Sequence, residues 1–211
     1  MSTYAVIDFE TTGLSPNCGA RPTEIAVVLL ESGKVTRRYQ SLMNPGVPIP
    51  YDIQALTGIT NAMVRKAPRV ETVMQEAFDF VGDHHLVAHN ASFDSKCWEA
   101  ELSPLGCEVA SKSFNCSLLL SRRLFPQAPN HKLPTLVKTL RLPDTGKSHR
   151  ALADAEATAY LFQHIQGEVQ RRFSLPEVSR ELLLAIQKAG KSKVEECVCR
   201  FLEKKPKAKK V

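Results

Sequence analysis

Asp8 and Glu10 stand two residues apart in Tyr4-Ala5-Val6-Ile7-Asp8-Phe9-Glu10, an apolar run with the composition of a strand. Side chains at i and i+2 of a strand point to the same face. Two carboxylates are therefore aimed together from a segment otherwise built for burial. Like charges at that range repel and lose hydration, so the arrangement needs compensation. A divalent cation, which takes oxygen ligands, is the usual solution.

Three further positions have the right chemistry. Asp94 lies in the first turns of a helix that leaves the apolar segment Leu86-Val87-Ala88, within Ala88-His89-Asn90-Ala91-Ser92-Phe93-Asp94. Asp154 lies in a long Ala-rich helix, and His149 precedes it by five residues. Five residues of helix turn through about 500°, which would put the two on different faces. His149 is better placed on the loop before the helix, free to swing over a metal site. Singly, each has a plainer reading: Asp94 as a partner of the helix dipole, Asp154 as a solvated helix residue, His149 as a surface histidine.

The elements that must position these residues follow from periodicity. Tyr4–Glu10, Glu24–Leu30 and Val35–Leu42 read as three strands joined by short links, an antiparallel meander. A short helix is predicted over Pro50–Leu56, with Gly58 just past its end. The spacing of Val70, Val73, Met74, Ala77, Phe78 and Val81 predicts an amphipathic helix over 70–81. Leu86–Ala88 is a fourth, buried strand. Asn90 is predicted to cap a helix from about Ala91 to Leu102. A fifth strand is expected at Phe114–Ser117, then helices over Leu118–Phe125, Leu133–Leu140 and Ala151–Gln166. A meander followed by alternating helices and strands makes an α/β fold with helices packed on a mixed sheet. Beyond residue 170 the composition changes, and helices are predicted over Val178–Ala189 and Val194–Leu202. The expected division is 1–170 for the main domain, 171–203 for a helical extension and 204–211 for a basic, disordered tail.

The composition, 43% hydrophobic and 24% charged in 211 residues, is that of a globular chain. No apolar run approaches the roughly 20 residues needed to cross a bilayer, and the first residues carry no basic leader. The six cysteines form no C-x-x-C pair, which argues against zinc and for reduced thiols in a cytoplasmic protein. The net charge of +6 belongs to the end of the chain: residues 188–211 hold nine Lys/Arg against three Asp/Glu, leaving residues 1–187 at zero. A neutral body suits a polyanion only if bound metal supplies positive charge where phosphate must sit. The basic tail fits nonspecific backbone contact, a docking segment, a nuclear address or a solubilising run.

Asp8-Phe9-Glu10-Thr11-Thr12-Gly13-Leu14, Ala88-His89-Asn90-Ala91-Ser92-Phe93-Asp94 and His149-Arg150-Ala151-Leu152-Ala153-Asp154-Ala155 resemble, in order, the three motifs of the DEDDh (DnaQ-like) family of 3′→5′ exonucleases. The resemblance covers about residues 3–165. It implies a ribonuclease-H-like mixed five-stranded sheet flanked by helices. It implies two magnesium or manganese ions held by Asp8, Glu10, Asp94 and Asp154, with His149 as general base. It also implies release of nucleoside 5′-monophosphates from single-stranded DNA 3′ ends in proofreading or repair, with RNA ends or a noncatalytic, polymerase-binding role as the rivals. Candidate substrate contacts are the backbone around Thr11, Thr12 and Gly13, with Leu14 and Phe93 wedging or stacking on bases. Phe9, Leu56, His89 and Asn90 complete that set, with a structural strand-end role as the alternative for His89 and a helix cap alone as the alternative for Asn90. One departure is Thr57, which precedes Gly58-Ile59 where family members often carry a His.

Overall fold

The computed structural model describes residues 3–107, 114–146 and 148–204. Three antiparallel strands, β1 (Tyr4–Thr11), β2 (Pro22–Glu31) and β3 (Lys34–Leu42), form the expected meander. β4 (His85–Ala88) joins β1 in parallel, and β5 (Asn115–Cys116) joins β4 in parallel, giving the order β3-β2-β1-β4-β5. This is the mixed five-stranded sheet the sequence predicts.

Helices cover both faces. Ala5, Ile7, Phe9, Ile25, Val27 and Leu29 pack under α3 (Val70–Val81) and α4 (Asp94–Leu102). Tyr4, Val6, Ala26, Val28 and Leu30 pack under α5 (Ser117–Leu124) and α7 (Ala151–Phe173). The alternation is the period-two rule acting on strands covered on both sides. Tyr4 meets Phe162 edge to face with ring centroids 4.9 Å apart, and burial of a side chain like Phe162 contributes about 1.5–3 kcal/mol. The outer strand β3 is mostly exposed and carries Lys34, Arg37 and Arg38, charges that discourage pairing with another edge.

The helical elements differ from expectation in instructive ways. α1 (Tyr51–Thr57) ends at Gly58, whose φ of 75° is the left-handed cap conformation. A further short helix, α2 (Asn61–Arg65), follows behind a Thr60 cap. Asn90 does not cap α4: it adopts φ 63°, and the helix starts only at Asp94, after Phe93. The reason is a tight turn over 90–93, closed by the Phe93 N–H donating to the Asn90 carbonyl at 3.0 Å. After α6 (Leu133–Thr139), α7 runs to Phe173 rather than Gln166, because Val169 and Phe173 extend its apolar stripe against the helices that follow.

Those helices, α8 (Arg180–Lys188) and α9 (Val194–Lys204), share the core with α7 through Val178, Leu182, Leu183, Ile186, Val194 and Val198. Gln187 is buried against β5. Its Oε1 accepts from the Cys116 N–H at 2.8 Å and its Nε2 donates to the Phe114 carbonyl at 3.2 Å. The basic run from 205 onward lies outside the described residues. No helix among the described residues is long and apolar enough to cross a membrane.

Candidate active site

Asp8 and Glu10 share the β1 face that carries Tyr4 and Val6, and that face looks at α7. The first turn of α7 therefore brings Asp154 over them. Carboxylate and imidazole atoms of Glu10, Asp154 and His149 lie within 4.8 Å of one another. His149 sits in the turn before α7, as its spacing predicts, with a left-handed φ of 62°. Its backbone N–H donates to Asp154 Oδ2 at 2.8 Å, which ties the turn to the helix. Asn90, also at positive φ, faces the same cavity. Non-glycine residues rarely adopt that conformation, and such strain gathers where a side chain must be aimed.

Asp94 arrives from the other face. It opens α4, directly beyond β4, and its Oδ1 accepts the Phe9 N–H at 3.3 Å. It is buried beside Asp8, whose carboxyl is pushed well above the usual range, first by burial and then by the charges of Asp94, Asp154 and Glu10. Burial, with Asp154 and Glu24 nearby, pushes Glu10 up to about 8. Burial likewise pushes Asp94 up to about 8, against the backbone N–H groups that favour its charge. Asp154 is raised by burial, less so because of the His149 N–H. Four crowded carboxyls resist ionisation together. A hard divalent cation removes that conflict, and the four carboxylates offer it oxygen donors only, with the His149 imidazole alongside.

A fifth carboxylate is missing from the sequence reading. Glu24 lies opposite Glu10 across β1 and β2 and is 0% exposed. It accepts from Arg150 Nη2 at 2.8 Å, Arg150 Nε at 3.2 Å, the Ala151 N–H at 3.0 Å and Gln40 Nε2 at 2.9 Å. All its lone pairs are satisfied, and it fastens the residues next to His149 to the sheet. The signal was there: a lone carboxylate in the apolar run Thr23–Leu30.

The candidate substrate contacts divide. Leu14 is 91% exposed and Leu56 is exposed, both free to meet a ligand. Phe93 is half-buried against the α3–α4 core. Thr11 and Thr12 are buried, and their hydroxyls shape the turn: Thr11 donates to the Gly13 carbonyl and Thr12 accepts from the Arg21 N–H. Phe9 is a correction, since its ring is in the core and only its backbone reaches the site. His89 is another. Its Nδ1 pairs with Ser117 Oγ at 2.9 Å and its Nε2 with the His131 carbonyl at 3.1 Å, so no ring nitrogen is left for substrate. Burial holds the ring down to about 4, hence neutral, with Nε2 donating. Thr57 is buried too. It donates to the Ile53 carbonyl and accepts from the Ile59 N–H, closing α1 from within.

The exonuclease family model (RNase_T) matches residues 5–162. The chain belongs to this exonuclease family. The three motifs agree with a DnaQ-like exonuclease, and the acid cluster has the donors of a divalent-metal site. The chain is similar to a DNA polymerase III PolC-type of Bacillus cereus, 42% identical over 167 residues, covering 79% of this chain and 12% of that protein. It is similar to the 3′-5′ exonuclease DinG of Bacillus subtilis, 38% identical over 168 residues, covering 80% of this chain and 18% of that protein. The chain thus spans less than a fifth of the length of these curated relatives. A solved exonuclease X in complex with 5′ overhanging duplex DNA superposes with a TM-score of 0.65 at 31% identity, covering 82% of this chain and 95% of that one. In this exonuclease-family chain Asp8, Asn90, His149 and Asp154 line one cavity of about 760 Å³.

Proposed function

We propose that this protein is a 3′→5′ exonuclease that removes nucleoside 5′-monophosphates from single-stranded DNA ends. The observation that carries the reading is the convergence of Glu10, Asp154 and His149 within 4.8 Å, beside Asp8 and Asp94. In this reading Asp8, Glu10, Asp94 and Asp154 hold two magnesium or manganese ions. When bound, the ions supply Lewis-acid polarisation of the phosphate and of water and offset charge on the departing oxygen. His149, exposed on its turn, takes the proton of the attacking water at a ring nitrogen. Asn90 and the turn at Thr11–Gly13 frame the terminal nucleotide, and Leu14 separates it from its neighbour.

Residues 1–170 carry catalysis and 171–203 brace it. The similarity to a PolC-type polymerase and to DinG supports a setting in replication or repair, with a polymerase as a candidate partner for the extension. Six free cysteines suit the cytoplasm.

The test is a timed digestion of end-labelled single-stranded DNA, duplex DNA and RNA with magnesium, manganese or chelator. Single-stranded DNA should shorten from its 3′ end only with metal. Asp8→Ala should keep the fold and lose the activity, and His149→Ala should slow turnover by about 10²–10⁴-fold. Full activity in purified Asp8→Ala would refute the assignment of that carboxylate.

A further inference from the structure

The cavity that holds the acids is also lined by cations. Arg122, on α5, and Lys132, in the loop before α6, face it together with Asp8, His149 and Asp154. Both side chains are exposed, and neither has a carboxylate partner among the described residues, whereas nearby Arg150 is locked onto Glu24. A guanidinium beside an acid cluster would ordinarily be drawn into an ion pair. Here both cations stay free at the mouth of the cavity, on the side built after β4 and β5.

That side is held rigidly. The His89 Nε2–H donates to the His131 carbonyl, and the His131 ring bonds the Phe125 carbonyl at 3.1 Å. The Asn130 side chain accepts the Lys132 N–H at 3.0 Å. The loop is thus tied at both ends, and Lys132 leaves it from a fixed backbone. Residues 1–187 carry no net charge, so affinity for a polyanion must come from local cations such as these.

We propose that Arg122 and Lys132 form a phosphate-binding rim that grips the backbone of the single strand just upstream of the nucleotide being removed. This rests on the exonuclease reading, and it adds the place where the substrate strand enters. The acids and their ions take the scissile phosphate. Arg122 and Lys132 take the next phosphates, with Arg122 offering a bidentate fork and Lys132 a point charge. Backbone contact of this kind reads no sequence.

The full chain is tested in two assays. The first is equilibrium binding of a fluorescent single-stranded 12-mer in calcium over a range of salt. Arg122→Ala and Lys132→Ala should each weaken binding several-fold and flatten the plot of log affinity against log salt by about 0.7 per lost contact. Lys34→Ala, which removes a charge at the far end of the β2–β3 hairpin, should change neither. Arg122→Lys should retain most of the slope. The second assay is steady-state digestion with magnesium, where KM should rise several-fold while kcat stays within about twofold of wild type. Unchanged affinity and slope in both alanine variants would overturn the rim, as would a fall in kcat with KM unmoved. Loss of slope in the two alanine variants, beside a wild-type protein that binds the strand but digests nothing, would instead leave the rim standing and sink the exonuclease reading.

Discussion

Glu24 shows how a fully buried residue can hold the segments of a candidate site in place. It binds Arg150 with two oxygens and caps the first N–H of α7, so the turn carrying His149 and the helix carrying Asp154 are both fixed to β2. Glu24→Gln keeps the shape and loses the charge. We expect kcat to fall about 10- to 100-fold with KM little changed, since a small displacement of His149 or Asp154 degrades the reacting geometry. Stability should drop by about 1–3 kcal/mol, because a buried donor is left poorly paired. Single-turnover digestion and urea unfolding check both, and an unaltered kcat would remove Glu24 from any positioning role. The contrast with the residues the sequence did reveal is physical. Asp8 and Glu10 announce themselves as a same-face pair in an apolar strand, and Asp94, His149 and Asp154 as members of spaced motifs. Glu24 has no charged neighbour two residues away, and its partner Arg150 is 126 residues distant. Its meaning arises only in the folded sheet. The choice between a substrate contact and a structural role for His89 has the same origin, because Ser117 and the His131 carbonyl, which occupy its ring nitrogens, reach it from remote segments.

At the scale of elements, strands and amphipathic helices with strong periodicity were legible: β1, β2, β3 and α3 lie where hydrophobic spacing put them. β5 was legible in place but not in extent: it lies inside the segment Phe114–Ser117, yet two residues carry no period, and Asn115–Cys116 is a strand because β4 lies beside it. The far side of β5 is served by α8, where one glutamine supplies the acceptor and donor that a sixth strand would have given. That contact matters to the site because Ser117, the next residue, holds His89. Gln187→Ala should therefore cost about 1–3 kcal/mol, the penalty of orphaning a buried backbone N–H, and α8 should no longer protect the Cys116 amide from hydrogen exchange. Chemical denaturation with exchange measured at Cys116 tests this. A loss under about 0.5 kcal/mol with protection intact would mean the edge finds another partner.

Across the whole molecule, stability and function pull against each other through charge. The carboxyls of Asp8, Glu10, Asp94 and Asp154 are all held above their ordinary values, first by burial and, for Asp8, Glu10 and Asp94, also by neighbouring acids, with Glu10 and Asp94 at about 8. In the unfolded chain such groups lose their protons near pH 4. Between there and about pH 8 the metal-free native state therefore binds more protons than the unfolded state. Stability must fall as pH rises through that window, because slope follows the excess of protons bound by the unfolded form, here negative. His89 works in the opposite sense: held down to about 4, it loses native stability as pH falls below its unfolded value near 6.5. A scan from pH 7 to 9 isolates the acids from it. In chelator the melting temperature should decline from pH 7 and flatten above about pH 8, by about 2–4 °C for each kcal/mol lost. Magnesium or manganese, which competes with protons for the same oxygens, should raise the melting temperature more at pH 9 than at pH 7. Asp94→Asn should be more stable than wild type in chelator at pH 9 and should respond less to metal, since it removes one of the charges in conflict. A metal-free melting temperature that stays level from pH 7 to 9, in wild type and variant alike, would show that the four acids do not repel one another as their crowding requires.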